Sequence, residues 1–569
     1  MKLLYKNYIP KIAVAILFVF AGQLFQSCSK NKAEDEVPGD TRLDGKISVK
    51  VLGIDEDDDV AVINPKGNVA SKSVARETGT TPRKTIIYPG FDAVVSVERD
   101  VLKQPNIAIG NVPKGISSTS DLLAVSAMAT NVKYRLLLYK TDGTFVSSTP
   151  LVSGTAGAVD VAKGTAYNWY AISYNNTDDV PDVADHANPT LALPGGKDAL
   201  YASGSITIPA NGPDGNSPLG ITFKHSLARI AVELNTMGMF ADINTAAVAV
   251  SGIVVKTGTI NLKTGALSNL VNYTQTVNYA SFSDVLAPYH DAKVAYIYTA
   301  DAVTPAALTV TLTNLALDID NGTVRSFATL LGTTPSVFTF NVTPQLGKSY
   351  RALVNLVESP LTLAGVRWAR ANLYNPGGHN PYRFHHTYAA TNQRNSYFSF
   401  KGIVSADYGT NGDPCSLVYP AGIWRQASEP DFRTLVGGAL GIGAQPLTPG
   451  TAGGIRYLEY NNSTGTVAPY PSNKLHFNYN GEGVGLALVA GIIQLNFNGT
   501  YGASAQVWTG TAGIDLLGLI GVGAWDYSGN TGILGTSGAL GVSLLNVSAI
   551  GLDVIKTNFK NVRCVRTAI

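Results

Sequence analysis

The chain has 569 residues, a formal net charge of +2 and only 14% charged residues. This length predicts about three or four domains, and the low charge with abundant Gly, Thr and Val favours β-structure over helical bundles. The near-neutral charge, without a basic stripe, excludes the electrostatic surface of a nucleic-acid-binding protein.

The first 27 residues have the organisation of an export signal. Three lysines precede an apolar run over residues 12–25, which is a charged segment followed by a hydrophobic segment. The run is short for a membrane span, since a spanning helix needs about 20 apolar residues. Residues 24–28 resemble the lipobox of bacterial lipoproteins, which implies that residues 1–27 are removed and that Cys28 carries a lipid. The alternative is an ordinary signal peptide with an incidental cysteine.

A polar tether is predicted over residues 28–44. Its acidic residues 34–36 resemble the short signals that send some lipoproteins to the outer leaflet, although most charge runs are only solvated linkers. We therefore expect a lipid-anchored, surface-exposed protein of the bacterial outer membrane.

The tether is followed by segments with the two-residue periodicity of half-buried strands. The clearest are residues 47–51, 134–138, 167–175, 308–312 and 338–342. Asp142 and Gly143 suit a hairpin turn. Near Leu227 and Ala228 the apolar positions change from odd to even, which predicts a β-bulge. The predicted result is a set of sandwich-like β-domains.

Two segments resemble the type V pilin (fimbrillin) family of surface lipoproteins. They are residues 167–175, with Tyr-x-Trp-x-Ala-x-Ser-Tyr-Asn, and residues 223–229, with Phe-x-His-x-Leu-Ala-Arg. Residues 347–350 also resemble the start of the closing strand of these domains. The resemblance implies two pilin-like β-sandwiches, at residues 45–200 and 201–357.

Three cysteines occur in the whole chain. If Cys28 is acylated, Cys415 and Cys564 remain, and an even remainder in an oxidising compartment suggests one disulfide. Closing a loop of about 150 residues could contribute on the order of 4 to 5 kcal/mol. The alternative is a pair of buried free thiols.

Residues 361–569 differ in composition and resemble C-type-lectin-like surface domains. The resemblance rests on Trp424-Arg425, on the positions of the two late cysteines and on residues 429–435, which could open a short helix. It implies an α+β domain and favours pairing of the two cysteines. Residues 437–555 depart from the family pattern because they are very rich in Gly, Leu and Ala. The predicted fold class is mainly β: two β-sandwich pilin-like domains followed by an α+β C-type-lectin-like domain.

The fimbrillin resemblance implies assembly by β-strand addition, in which main-chain hydrogen bonds join one subunit to the next. In that family a protease cuts after an arginine near the mature N-terminus, removes a strand and opens an acceptor groove. The candidates are Arg42, Arg76 and Arg83, although an arginine in a loop is usually only solubilising.

The position of Cys564, five residues from the end, bears on the place of the chain in a fibre. A disulfide there leaves no C-terminal strand to donate, which predicts a tip adhesin of a fimbrium. The expected partners are other fimbrial subunits, through donor-strand addition, and a glycan or a host or bacterial surface protein. The alternative is a surface glycan-binding lipoprotein that does not polymerise.

No catalytic group, metal site or cofactor is predicted. His379, His385 and His386 lack the spacing of zinc ligands, and residues 429–431 fall at a helix start although they resemble a lectin calcium triplet. An enzyme of the formylglycine-generating type, which shares the C-type-lectin-like fold, would need reactive cysteines. Four tryptophans could stack on sugars, although burial is their commoner use: Trp368, Trp424, Trp508 and Trp525.

Overall fold

The computed structural model describes twelve segments of the chain. They are residues 43–55, 83–100, 125–211, 216–301, 306–407, 412–436, 445–489, 492–496, 501–510, 522–527, 541–546 and 558–567. The predicted lipid site Cys28 and the candidate cleavage positions Arg42 and Arg76 lie outside these residues.

Nearly all of the regular structure in these segments is β, as predicted, and the strands fall into three groups along the chain. The first group is β1 (Gly45–Asp55), β2 (Lys84–Tyr88), β3 (Phe91–Arg99), β4 (Val125–Ser126), β5 (Lys133–Lys140), β6 (Phe145–Val152), β7 (Gly157–Val161), β8 (Ala166–Ser173), β9 (Thr190–Ala192), β10 (Leu200–Thr207) and β11 (Asn216–His225). The second group is β12 (Ala228–Gly238), β13 (Ala241–Ser251), β14 (Val255–Asn261), β15 (Leu267–Tyr273), β16 (Val277–Asn278), β17 (Ser283–Asp284), β18 (Ala292–Thr299), β19 (Ala306–Ile319), β20 (Val324–Ser326), helix α1 (Ala328–Thr333), β21 (Ser336–Val342) and β22 (Ser349–Glu358).

The third group follows residue 360 and consists of short elements. It comprises β23 (Leu361–Leu363), β24 (Val366–Trp368), β25 (Leu373–Tyr374), β26 (Arg383–Phe384), β27 (Trp424–Gln426), α2 (Glu429–Val436), β28 (Leu447–Ala452), β29 (Ile455–Tyr460), β30 (Leu475–Asn478), β31 (Gly483–Val489), β32 (Ile492–Asn496), β33 (Ala505–Trp508), β34 (Val522–Tyr527), β35 (Gly541–Asn546), β36 (Asn558–Phe559), β37 (Asn561–Val562) and β38 (Cys564–Arg566). Single 3-10 turns lie at Tyr279–Ser281, Arg394–Ser396 and Pro414–Leu417.

The first sheet has the strand order β4, β1, β11, β10, β8, β5, β6, and β7 also pairs with β1. The predicted hairpin joins β5 to β6, where Gly143 has a φ of +89°, a value that favours glycine. The core cluster of this sheet includes Ile47, Tyr134, Trp169 and Phe223. Nearly all of its members come from the strands of this sheet, so the sheet curls around its own core.

The second sheet has the order β17, β18, β12, β22, β3, β2 and packs against a sheet of β16, β13, β19 and β20, with β21 paired to β19. The core between them contains Phe91, Ile230 and Val354 from the first of these sheets and Leu308 and Phe338 from the second. The two sheets therefore form a sandwich. A small separate sheet of β15, β14 and β9 packs against the first sheet.

Sheet membership differs from the predicted division between residues 200 and 201. Strand β10, which spans that position, and β11, which follows it, belong to the first sheet, whereas β2 and β3, near the N-terminus, belong to the second. The reason is long-range pairing: β1 runs parallel to β11, and β3 runs antiparallel to β22.

The prediction of a β-bulge near Leu227 and Ala228 is wrong. Strand β11 ends at His225 and β12 begins at Ala228, and the two strands belong to different sheets. The apolar positions change from odd to even because the chain leaves one core and enters another.

The last group of strands closes on itself. A four-stranded sheet has the order β23, β24, β38, β27, so the C-terminal strand lies between two others. Helix α2 begins at Glu429, as predicted, with Glu429 and Asp431 in its first turn. The six-residue helix α1, by contrast, was not predicted.

Candidate functional site

Strand β1 occupies an interior position of the first sheet. Lys46 to Asp55 pair with residues 216–224 of β11 in parallel register, and residues 45–49 pair with β7 on the other side. Near the end of β1, residues 54 and 55 pair with β4. Because both edges are used, β1 completes a backbone hydrogen-bond ladder whose other strands lie far along the chain.

The side chains of β1 fill the core of this sheet. Ile47, Val49 and Ile54 are 0%, 1% and 4% exposed, and burial of such side chains contributes about 1.5 to 3 kcal/mol each. The register shifts between Val51 and Gly53, which returns Ile54 to the buried face. Without β1, the first sheet would have a gap beside β11 that exposes apolar core side chains. We call this gap the slot.

The three candidate cleavage positions differ in their relation to β1. Arg42 precedes β1, whereas Arg76 and Arg83 follow it. Arg83 lies directly before β2, and its Nη1 donates a hydrogen bond to the carbonyl of Ala421 at 3.3 Å. The next residue, Lys84, already pairs with β3, so the peptide following Arg83 lies in a sheet.

A disulfide ties the end of the chain into the C-terminal region. Cys415 and Cys564 are joined with an S–S distance of 2.00 Å and a Cα–Cα distance of 5.7 Å, and both residues are fully buried. Strand β38 pairs with β24 and with β27. The late cysteines are therefore not free thiols, and neither is available for the chemistry of a formylglycine-generating enzyme.

The C-terminal region packs on the outer face of the second sheet. Val94 and Val357 on this face share one cluster with Trp424 and the two bonded cysteines, whereas the adjacent residues of β3 point into the sandwich core. Both faces of this sheet are thus covered. This explains why β3 and β22 have long buried runs instead of the alternation of a half-exposed strand.

Buried charges join the same two parts of the molecule. Asp92 Oδ2 accepts hydrogen bonds from Arg367 at 2.9 Å and from Arg566 at 3.1 Å. Burial raises the pKa of Asp92, although both arginines oppose this effect. Burial also lowers the pKa of Arg566 to about 10. We call Asp92, Arg367 and Arg566 the Asp92 cluster.

Tyr470 lies beside this cluster and contacts both parts of the molecule. Its hydroxyl donates to the carbonyl of Gly90 at 2.6 Å. The guanidinium of Arg370 lies 3.7 Å above its ring, and that of Arg325 lies 4.7 Å away. Burial raises the pKa of the nearby Glu358, and Arg325 and Arg370 oppose this rise.

A small polar recess lies elsewhere in the C-terminal region. Its lining residues are Ala371, Asn372, His385, Thr387, Tyr388, Ala389, His476, Asn478, Asn480 and Arg563. The guanidinium of Arg563 donates four hydrogen bonds, one to Asn372 and three to backbone carbonyls. The recess therefore presents mainly uncharged amide, imidazole and phenol groups.

His379 and His385 have different partners. His379 bonds Asp291 at 2.9 Å, whereas His385 stacks on Tyr374 with ring centroids 4.2 Å apart. Among the described residues no group of three His, Cys, Asp or Glu side chains is arranged to hold a metal ion.

The carboxylate of Asp431 accepts hydrogen bonds at the start of α2. Arg425 holds it with two hydrogen bonds, at 2.6 and 3.0 Å, and Ser428 donates to it from both its backbone nitrogen and its hydroxyl. Burial alone would raise the pKa of Asp431, but these hydrogen bonds outweigh it and hold the pKa below its usual range.

The tryptophans whose surroundings are described are buried. Trp368, Trp424 and Trp508 are each at most 1% exposed, so they are not available to stack on a sugar. The surroundings of Trp525 lie outside the description. No helix in the described part of the chain is long and apolar enough to cross a membrane.

The Asp92 cluster and the covered outer face of the second sheet were not predicted from the sequence. The signal for the covered face was present: residues 91–97 contain Phe, Ala and three valines with little alternation, which is typical of a strand buried on both faces. The charged partners carry no local signal, because Asp92 and Arg566 lie at opposite ends of the chain.

His385 gives the C-terminal region a specific pH dependence. Burial lowers the pKa of His385 to about 4, so the stability that its neutral form confers is complete above pH 6.5 and is lost as the pH falls toward 4. We expect the protein to lose about 2 to 3 kcal/mol over this range relative to a His385→Phe variant. Urea unfolding at pH 7 and pH 4 measures the difference, and His385→Gln should behave like His385→Phe. Equal pH profiles of the wild type and both variants would show that burial of His385 does not cause the loss of stability at low pH.

Comparisons with known proteins agree with the resemblance of the N-terminal half. Residues 107–357 match the sequence model of the Fimbrillin-like family. This match supports a role as a fimbrial subunit or an adhesin. No curated protein matches the chain.

Similar solved structures include the fimbrial anchor protein Mfa2 from Porphyromonas gingivalis, with 12% identity, 38% of this chain and 76% of that chain covered and a TM-score of 0.21. A candidate cell adhesion protein from Bacteroides ovatus has 13% identity, coverage of 41% and 90%, and a TM-score of 0.26. The major pilin from Streptococcus pyogenes has 9% identity, coverage of 41% and 93%, and a TM-score of 0.12. These scores are too low to assign the fold of the whole chain.

Proposed function

We propose, from the fimbrillin-like match of residues 107–357, that this chain is a fimbrial subunit that accepts a strand of a neighbouring subunit in the place of β1. The observation that carries the proposal is the interior position of β1, which is hydrogen-bonded on both edges by strands remote in sequence. A single cut after β1 turns this strand into a separate peptide. A strand from another subunit can then restore the same ladder.

The chemistry of the slot sets what a replacement strand must contain. It must run parallel to β11 and place apolar side chains where Ile47, Val49 and Ile54 now lie. Main-chain hydrogen bonds would supply affinity, and the alternate buried positions would supply specificity. A strand shifted by one residue would place polar side chains in the core.

Among the candidate arginines, Arg76 fits this role best. A cut after Arg42 leaves β1 joined to the rest of the chain, whereas a cut after Arg76 or Arg83 separates it. The residues after Arg83 are already paired in β2, and Arg83 itself contacts Ala421. We therefore propose cleavage after Arg76, with Arg83 as the second choice.

The C-terminal region supports a place at the tip of the fibre. Strand β38 is enclosed between β24 and β27, the disulfide holds Cys564, and Arg566 is bonded to Asp92. A strand bound in this way is not available to complete another subunit. The chain would accept a strand in the place of β1 while β38 stays paired within its own sheet, and it would present residues 361–569 outward.

We further propose that residues 361–569 form a C-type-lectin-like head that binds a glycan or a surface protein. Pairing of the early strand β24 with the late strand β38 supports a closed domain, as do the disulfide and helix α2 at the expected position. The lipid on Cys28 would anchor the unassembled chain in the outer membrane. No enzymatic activity is proposed.

An arginine-specific protease tests the proposed strand exchange. On the folded full chain, we expect a cut after Arg76, after which a labelled peptide with the sequence of residues 44–55 should exchange into the protein. Mass spectrometry identifies the cut, and size-exclusion chromatography detects the bound label. An Arg76→Ala/Arg83→Ala variant should take up no label, whereas the matched Arg42→Ala variant should behave like wild type. Failure of the cut protein to bind the peptide would reject the proposal.

A second candidate function is a glycan-binding lipoprotein that does not polymerise. The polar recess around His476 and Asn478 has room for about one water molecule, so a glycan would have to bind on another surface of residues 361–569. This function requires no exchange of β1. The labelled-peptide experiment therefore distinguishes the two functions.

A further inference from the structure

Lys560 is the one lysine among the described residues that is buried, with 2% of its surface exposed. Its Nζ contacts the carboxylate of Glu482 and donates to Gln506 Oε1 at 2.5 Å. The amine also lies 5.1 Å from the centre of the Trp508 ring. The amine of Lys560, the carboxylate of Glu482 and the primary amide of Gln506 are therefore in mutual contact at a site where the lysine and the glutamine are buried.

The backbone holds the amine and the amide opposite each other. Strands β33 and β37 run parallel, with Val507 opposite Asn561, which places Gln506 opposite Lys560. The backbone of Lys560 is fixed from the other side by two hydrogen bonds with Phe398, at 2.9 and 3.0 Å. Gln506 is itself 7% exposed and donates to Ser504 at 3.1 Å.

We propose that Lys560 and Gln506 form an intramolecular isopeptide bond, with Glu482 as the proton carrier. Lys560 Nζ gives a proton to Glu482 and, as a neutral amine, forms a bond to Cδ of Gln506. The Cδ–Nε2 bond then breaks. Glu482 passes its proton to the departing Nε2 and takes one of the two protons left on Nζ, so that ammonia leaves and a secondary amide remains. No oxidant or other reactant is consumed.

The surroundings favour this reaction for two physical reasons. The fold holds the amine of Lys560 against the amide of Gln506, so the two groups do not have to meet by diffusion. This proximity can remove a large part of the free-energy barrier to amide exchange. A carboxylate beside a buried amine can relay protons, and burial of the amine and the amide protects the new bond from hydrolysis. Glu482 supplies the relay, and Trp508 covers the amine.

The bond would give the C-terminal region a second covalent closure. It would join β33 to a residue four positions before Cys564, whose disulfide is the first closure. The inference does not depend on strand exchange at β1 or on the proposed function. It requires only that the chain folds.

Peptide mass spectrometry tests the bond in the full-length purified protein. After denaturation and reduction, trypsin should fail to cut after Lys560. The peptides containing Gln506 and Lys560 should appear joined, one molecule of ammonia lighter than their sum. A Glu482→Gln variant keeps an acceptor for Lys560 but carries no carboxylate, so it should give separate peptides while melting as a folded protein.

A Lys474→Met variant is the matched control. Lys474 also contacts a glutamate, Glu459, at 3.4 Å, but its side chain is 42% exposed, and the joined peptides should persist in this variant. Complete cleavage after Lys560 in the folded wild type, with both peptides at full mass, would overturn the proposal. Joined peptides in the Glu482→Gln variant would overturn the role of Glu482.

Discussion

Replacing Cys415 and Cys564 together with alanine is expected to lower the free energy of unfolding by about 5 kcal/mol, from the loop-closure estimate for a separation of 149 residues. The bonded pair lies in the cluster that also contains Val94 and Val357 of the second sheet. Its loss should therefore weaken attachment of the C-terminal region as well as the region itself. Urea denaturation followed by tryptophan fluorescence measures the change.

The effect of a reductant on the free energy of unfolding provides the control for this prediction. The disulfide is fully buried, so a reductant should reach it only through unfolding, and it should then destabilise the wild type by a similar amount. The double alanine variant should not respond to the reductant. A loss below about 1 kcal/mol would show that the enclosed end of the chain does not depend on this bond.

Asp92→Ala is expected to destabilise the protein by about 3 to 5 kcal/mol, because removing one partner of a buried ion pair leaves uncompensated charge. Arg367 and Arg566 would both lose their bonds to Asp92 Oδ2. Asp92→Asn keeps the shape and one acceptor and should cost less. Because Arg566 belongs to the last strand, faster proteolysis near the C-terminus should accompany the loss of stability.

The matched control for Asp92 is a carboxylate in an exposed ion pair. Asp160 lies 3.6 Å from Lys46, and both side chains are more than half exposed. Asp160→Ala should change the free energy of unfolding by less than about 1 kcal/mol, since exposed pairs contribute little. Equal effects of the two substitutions would contradict the structural role given to the Asp92 cluster.

Local features of this protein could be predicted from its sequence. Alternation over residues 134–138, followed by Asp142 and Gly143, fixes β5, its turn and the start of β6. The helix opening at Glu429 and the strand containing Trp169 were likewise predictable. Each depends on side-chain periodicity, capping or turn geometry within about ten residues.

Long-range pairing was not predictable in the same way. The parallel register of β1 on β11 and the antiparallel register of β3 on β22 depend on complementarity between segments that share no local signal. The change in apolar positions near Leu227 was visible, but periodicity does not distinguish a bulge from a crossing between sheets. The cysteine count favoured the pair that the structure joins, whereas nothing near Asp92 identified Arg566 as its partner.

The interleaved order of the strands also constrains how the chain can fold. Strand β3 is made early in synthesis, yet it must wait for β22, and β1 must wait for β11. Such distant pairings slow folding and leave strand edges exposed in intermediates. Because synthesis begins at the N-terminus, the chain cannot build its first two groups of strands one after another. The second sheet can close only after residue 358 has been synthesised, so β3 stays without its native neighbour until then.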